Sequence, residues 1–288
     1  MAVLVTGVKG QLGHDVVLEL NRRGIPCLGV DQEDFDIADP GAVEAYFTAH
    51  QPEAVVHAAA YTNVDGAEAN RELAFQVNGR GTENLARAAE ALGAKFVYIS
   101  TDYVFSGVGD RPWQPNDPTA PCNAYGESKL AGEKAVLALS RRAFIVRTCW
   151  VFGINGKNFV KTMLRLGAEK EELKVVSDQI GSPTYTPDLA RLLCDMLETE
   201  RYGIYHAANS GLCSWYAFAS RIMELGGRGA RVLPVTSEEY AALAPAAAHR
   251  PKNSRLDRSC LTEAGFAPLP PWEDALKRYL AELGELKN

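Results

Sequence analysis

The chain has 288 residues, 47% hydrophobic and 23% charged, enough to bury the core of one large domain or two smaller ones. Its net charge of −6, without a basic run, argues against nucleic acid as a main partner, while a small anionic ligand needs only one or two local cations. Six scattered cysteines with no Cys-x-x-Cys pair suggest neither a zinc site nor a disulfide framework, and no apolar run approaches the roughly 20 residues that span a bilayer.

A strand, Ala2 to Thr6, opens the chain directly, with no charged and apolar leader before it. Reduced thiols, a cytoplasmic location and no membrane partner are the expectation. The strand runs into Gly7-Val8-Lys9-Gly10-Gln11-Leu12-Gly13 and an amphipathic helical pattern, His14 to Arg23, that stops at Gly24. A second strand, Ile25 to Val30, ends at Asp31. Such a strand, glycine turn, helix and strand unit with an acid at its end binds a dinucleotide. The glycines let the backbone approach a pyrophosphate, the amides at the helix start stabilise its charge, and Asp31 accepts from the adenosine ribose. Asp31 therefore favours NADH over NADPH, unless Lys9 or Arg22 offsets its repulsion of a 2′-phosphate.

Asp36 and the amide of Ile37 are placed either to recognise adenine or to form the approach to the helix beginning at Asp39-Pro40. That helix runs from Pro40 to His50 and is followed by a strand, Ala54 to His57. The small residues Ala58, Ala59 and Ala60 at its C-terminal end leave room for a cofactor over the sheet edge. A long helical pattern, about Glu72 to Leu92, precedes a strand, Lys95 to Ile99, which delivers Ser100-Thr101-Asp102-Tyr103-Val104-Phe105 to the same edge.

Tyr125-Gly126-Glu127-Ser128-Lys129 carries the chemistry. Residues four apart share a helix face, so Lys129 can favour the phenolate of Tyr125, and a tyrosine tuned this way can give a proton to a carbonyl oxygen as hydride arrives at the carbon. Thr101 adds a second hydroxyl converging on that oxygen. Beyond the strand Phe144 to Arg147 the strand-helix alternation loosens. Helix Asn158 to Leu166, strand Leu173 to Val176, loop Ser177 to Pro187, helix Asp188 to Glu198 and strand Gly203 to His206 follow. The expected fold is α/β, a Rossmann-type doubly wound parallel sheet over residues 1–152, joined by later segments, with a smaller mixed α/β substrate lobe over 153–288.

These motifs resemble the extended short-chain dehydrogenases/reductases. The segments Gly7 to Gly13, His57 to Asp65 and Tyr125 to Glu133 carry the superfamily likeness. Thr101-Asp102-Tyr103-Val104-Phe105, Asp178-Gln179-Ile180-Gly181-Ser182-Pro183-Thr184 and Arg250-Pro251-Lys252-Asn253-Ser254 are similar to its reductases of nucleotide-linked 4-ketosugars. The resemblance implies NADH or NADPH as cofactor, and reduction of the 4-keto group of dTDP-4-dehydro-L-rhamnose to dTDP-L-rhamnose for cell-surface polysaccharide. It implies Tyr125 as proton donor, Lys129 on the nicotinamide ribose and Thr101 polarising the keto oxygen. Asp102, Tyr103, Trp150, Asn158 and Gln179 would line the sugar site, with Arg250 on the diphosphate.

Some members of the family form a dimer bridged by magnesium. The matching acids here are Asp15, Asp188 and Glu273; two are aspartates where glutamates are expected, and all three are read as solvated surface acids. The assembly is then a monomer or a homodimer. Ser106 and Cys122 depart from the family pattern beside the substrate loop. Two other functions keep the same residues: an epimerase or dehydratase of another nucleotide sugar, and a nucleotide-binding regulatory subunit.

Overall fold

The computed structural model describes residues 2–243 and 247–287. Twelve strands form between them: β1 (Val3–Thr6), β2 (Cys27–Val30), β3 (Ala54–His57), β4 (Lys95–Thr101), β5 (Ala143–Thr148), β6 (Val151–Phe152), β7 (Glu172–Val176), β8 (Ile180–Gly181), β9 (Thr184–Tyr185), β10 (Gly203–His206), β11 (Cys213–Ser214) and β12 (Arg231–Val235). Six make one parallel sheet in the order β10-β5-β4-β3-β1-β2. The sheet order reverses direction between β1 and β3, the place where open α/β sheets bind ligands beyond their strand C-termini.

Parallel strands buried on both faces read as continuous apolar runs. Val3, Val5, Val56, Val97 and Val146 face one side of the sheet and Leu4, Val55, Phe96, Tyr98 and Ile145 the other. The first face is covered by α1 (Gln11–Arg22) and α8 (Thr186–Leu197), through Val16 and Leu20 against Leu189 and Leu193. The second face is covered by α2 (Pro40–His50), α5 (Thr82–Ala91) and α6 (Ala124–Leu139), which contribute Val43, Phe47, Leu85, Ala89 and Val136. Both β10 and α8 lie with this N-terminal body although they come from the second half of the chain.

The remaining C-terminal elements build a second core from Phe152, Leu164, Phe218, Ile222, Leu276 and Tyr279. Phe152 belongs to β6 and the others to α7 (Phe159–Glu169), α9 (Trp215–Leu225) and α12 (Trp272–Glu282), with the pairs β7-β12, β8-β11 and β6-β9 around them. Helices α10 (Ser237–Leu243) and α11 (Ser259–Glu263) are short. The expected loop over 177–187 holds β8 and β9, which are two residues each and invisible to a periodicity argument.

The expected helix over 72–92 is interrupted. Between α3 (Val64–Ala69), α4 (Arg71–Phe75) and α5 lies a π-helical turn, Gln76–Gly81. Its cause is Asn78, buried, whose carboxamide accepts from Tyr61 N at 2.8 Å and donates to Tyr61 O at 3.0 Å and Ser128 Oγ at 2.9 Å. The Thr82 hydroxyl donates to the Asn78 carbonyl at 2.7 Å. A π-turn of this kind commonly marks a functional position; here it ties the chain after β3 to α6.

Candidate active site

The glycine turn follows β1 directly. Gly7 has φ +73, and a Cβ there would stand 2.6 Å from Ala59 N, so the turn lies against the backbone beyond β3 and tolerates no side chain. Gly10 is the N-cap of α1 and no side chain caps the helix, leaving the amides of Gln11, Leu12 and Gly13 as free donors at its positive end. The cradle and free amides fit a pyrophosphate. Ala58, Ala59 and Ala60 border it, and Ala59 N is held by Thr6 Oγ1 at 3.2 Å. The Gln11 side chain accepts from Gly153 N at 2.9 Å and so joins this turn to the C-terminal lobe.

Asp31 stands at the end of β2, its carboxylate accepting from Lys9 N and Gln32 N, each at 2.9 Å. Lys9 pairs with Glu33 while also feeling the charge of Asp31, and Arg22 is engaged by Glu19. Asp36 accepts from Ala38 N at 2.8 Å, Asp39 caps α2, and the Ile37 carbonyl accepts from Asn84 Nδ2. The Asp36 side chain thus braces the approach to α2.

Tyr125 and Lys129 lie one turn apart at the start of α6, which Asn123 caps by accepting from Gly126 N at 2.8 Å. A Cβ on Gly126 would meet Tyr103 O at 2.2 Å, so glycine lets α6 press against the turn Asp102–Val104. That contact brings Tyr125 beside Thr101, the last residue of β4. Tyr103 packs edge-on against Tyr125, with ring centroids 5.6 Å apart.

Electrostatically the pair differs from the sequence expectation. Burial pushes the Tyr125 phenol up to about 12 against the pull of the Thr101 hydroxyl, and Asp102 pushes the same way as burial. Burial also lowers Lys129 to about 7, with Glu133 opposing. Its Nζ lies 4.2 Å from the Tyr98 ring centroid, and Tyr98 OH donates to the Lys129 carbonyl at 3.0 Å. Burial is the largest cause of both shifts and runs against the expected favouring of the phenolate by Lys129, so the tyrosine is held as a neutral acid.

Asp102 is 2% exposed, and burial raises it to about 7. Its Oδ1 accepts from Thr101 Oγ1 at 3.1 Å, whereas Oδ2 makes no hydrogen bond. Trp150 follows β5 with φ +52, half-buried between the lobes and stacked on Trp215. Gln179 is buried and donates to Ser237 Oγ at 3.1 Å. Arg250 lies near Tyr103 but pairs with Asp65 of α3 at 2.9 Å.

Asn158 requires a correction. Its Oδ1 caps α7 by accepting from Lys161 N, while Nδ2 faces Gln11 Oε1 at 3.0 Å, Gly153 O at 2.8 Å and Tyr279 OH at 2.9 Å. The side chain is used inside the protein and is not offered to a substrate. Near the departures from the family pattern, Ser106 Oγ accepts from Val108 N, and His249 O accepts from Asn123 Nδ2 next to Cys122.

Two of the supposed metal acids, Asp15 and Asp188, differ from their reading as solvated residues, whereas Glu273 is exposed as that reading has it. Asp15 and Asp188 are both buried; Asp15 accepts from the Thr186 hydroxyl, and Asp188 is gripped by Arg278 at 2.6 Å, by Arg191 and by Asn209 Nδ2 at 2.8 Å. Arginines already neutralise the carboxylate that would face a cation, so Asp15, Asp188 and Glu273 do not fit a magnesium site. Among the described residues no group of three or more His, Cys, Asp and Glu is arranged to hold a metal.

Behind the site lies a buried network the sequence reading did not find. Arg147 grips Glu133 with two bonds of 2.8 and 2.7 Å, and Ser100 Oγ donates to the same carboxylate. Glu133 is four residues beyond Lys129, so a search along that helix face for an acid would have found it. Its partner Arg147 is remote in sequence and carries no local signal. His57, between Thr6 and Thr82, is lowered to about 3 by burial and stays neutral.

Residues 1–285 match the family described as the RmlD substrate binding domain. The chain is 44% identical over 280 residues to the spore coat polysaccharide biosynthesis protein SpsK of Bacillus subtilis, spanning 97% of each. It is also 44% identical over 280 residues to a dTDP-4-dehydrorhamnose reductase of Streptomyces griseus, spanning 95% of this chain and 91% of the relative. The crystal structure of dTDP-4-dehydrorhamnose reductase from Bacillus anthracis in complex with NADP superposes with a TM-score of 0.93 at 44% identity, covering 98% of this chain and 99% of that one.

Proposed function

The chain belongs to the RmlD substrate binding domain family, and on that premise we propose that it is an NAD(P)H-dependent oxidoreductase that reduces the 4-keto group of dTDP-4-dehydro-L-rhamnose. The product is dTDP-L-rhamnose, a precursor of cell-surface polysaccharide. The observation that carries the reading is the meeting of Thr101, Tyr125 and Lys129 at the sheet edge beside the glycine cradle.

Gly7, Gly10 and the α1 amides hold the dinucleotide diphosphate, Asp31 meets the adenosine ribose, and Asp36 with Ile37 borders the adenine. When bound, the reduced nicotinamide supplies hydride to C4. Tyr125, kept neutral by burial, gives its proton to the oxygen that becomes negative as C4 is reduced. Thr101 turns its hydroxyl proton from Asp102 Oδ1 to that oxygen and holds it against the phenol. Lys129 reaches the nicotinamide ribose from the next turn of α6. Asp102, Tyr103 and Trp150 enclose the deoxysugar, whose apolar C–H face suits an indole. Arg250 exchanges Asp65 for the substrate diphosphate, as a guanidinium matches either anion.

The same reading places the enzyme in the cytoplasm as a monomer or homodimer without a nucleic-acid partner. Its net charge of −6 supports the absence of a nucleic-acid partner; among the described residues no helix is long and apolar enough to cross a membrane. The test is oxidation of NADH and of NADPH with dTDP-4-dehydro-L-rhamnose generated in situ. Wild type yields dTDP-L-rhamnose stoichiometrically, whereas Tyr125→Phe binds cofactor normally and loses about 10²- to 10⁴-fold in kcat. Wild-type rates in Tyr125→Phe would remove the proton-donor role.

A further inference from the structure

Trp150 is one of two residues other than glycine with positive φ among those described, and its strained backbone fixes where its indole points. One contact fixes the Trp150 main chain and two more hold its indole. Thr184 N donates to the Trp150 carbonyl at 3.1 Å, setting the start of the β6-β9 pair. Gly181 lies against the ring, and a Cβ there would stand 2.8 Å from Trp150 Cε2. Trp215 stacks on it with ring centroids 3.8 Å apart and planes 17° from parallel.

Trp215 is itself fixed. It opens α9, where Ser214 Oγ accepts from Ala217 N at 3.0 Å, and the preceding Cys213–Ser214 pairs antiparallel with Ile180–Gly181. Phe159 packs on its other flank with centroids 4.5 Å apart. Both tryptophans are half-buried, where the C-terminal core meets the small cluster around Val104, Phe105 and Cys149. An aliphatic side chain would fill this volume equally well, but only a second flat ring covers the indole over its whole face and fixes its tilt.

We propose that Trp215 is a positioning residue for the sugar site. Its stack holds the Trp150 indole in the orientation set by the strained backbone and leaves the opposite face to the deoxysugar. The inference rests on the proposed function, in which Trp150 meets the sugar. It accounts for the tolerance of a strained conformation at Trp150: the ring is held from outside its own strand by an element some 65 positions further along the chain, the difference between 215 and 150.

Two indoles in face-to-face contact give an exciton couplet in circular dichroism, which reports on the stack itself. The experiment compares wild type, Trp215→Phe and Trp215→Leu, and titrates each with dTDP-L-rhamnose. Expected are loss of the couplet in both variants, a change of the wild-type couplet on adding dTDP-L-rhamnose, and a KM for the ketosugar roughly five- to tenfold higher in Trp215→Leu. The KM for NADH and kcat stay within about twofold, and Trp215→Phe recovers most of the loss because a flat ring remains. An unchanged ketosugar KM in Trp215→Leu, with wild type fully active, overturns the inference alone. If Trp215→Leu does not fold, the absence of any response of the wild-type couplet to dTDP-L-rhamnose overturns it equally. Absence of ketosugar turnover in wild type overturns the proposed function, and this inference with it.

Discussion

Asp102→Asn removes a titration from the site while preserving shape and the acceptor for Thr101. The carboxyl is 2% exposed, one of its oxygens has no partner, and burial raises it from 3.8 to about 7. Because the folded-state value lies above the unfolded one, its contribution is fully present below about pH 4 and is lost as pH rises through about 7. The gap between 3.8 and about 7 corresponds to about 4 kcal/mol at about 1.4 kcal/mol per pH unit, as an upper bound. Roughly 2.5 kcal/mol of it falls between about pH 5 and about pH 8.

The assay is urea unfolding of wild type and Asp102→Asn at those two pH values. His57 and His206, both lowered to about 3 by burial, lose stabilisation as pH falls below 6.5. Lys129, lowered to about 7, gains stabilisation as pH rises from there towards 10.5. These groups are common to both proteins and cancel in the difference. The variant gains about 2 to 3 kcal/mol on wild type from about pH 5 to about pH 8. A variant-minus-wild-type difference that stays level across pH would refute the buried, neutral carboxyl.

Glu133→Ala leaves Arg147 charged and buried without its carboxylate. A loss of about 3 to 5 kcal/mol in chemical unfolding is expected, and a loss below about 1 kcal/mol would mean that water or another acceptor replaces the pair. Gly7→Ala forces a Cβ to within 2.6 Å of Ala59 N at a φ of +73. Dinucleotide affinity, followed by fluorescence quenching, falls at least about tenfold; undiminished affinity would place the cofactor elsewhere. Asp31→Asn removes the charge proposed to face the adenosine ribose and keeps one of its two acceptors, since Lys9 N and Gln32 N bond different carboxylate oxygens. The ratio of kcat/KM for NADPH to that for NADH rises roughly tenfold, and a constant ratio would show that this carboxylate does not discriminate.

The sequence by itself determined what depends on neighbours along the chain. Backbone turns, helix starts and strand runs are local, so the cradle at Gly7 to Gly13, the acid at Asp31, the parallel strands and the Tyr125–Lys129 spacing were all legible. Tertiary structure decided whatever depends on residues far apart. A helix that periodicity reads as regular carries a π-turn at Asn78, whose carboxamide bonds Tyr61 and Ser128 from elsewhere in the chain. Asn158 has the composition of a ligand contact, and Gln11, Gly153 and Tyr279 turn it into a structural tie. Asp188 looks like a surface acid until Arg278, 90 positions later, folds over it. Spacing alone placed a cation beside Tyr125; folding buried Lys129 and half-buried Tyr125, and desolvation became the largest influence on both, because burial is a property of the whole packed chain and not of any four-residue interval.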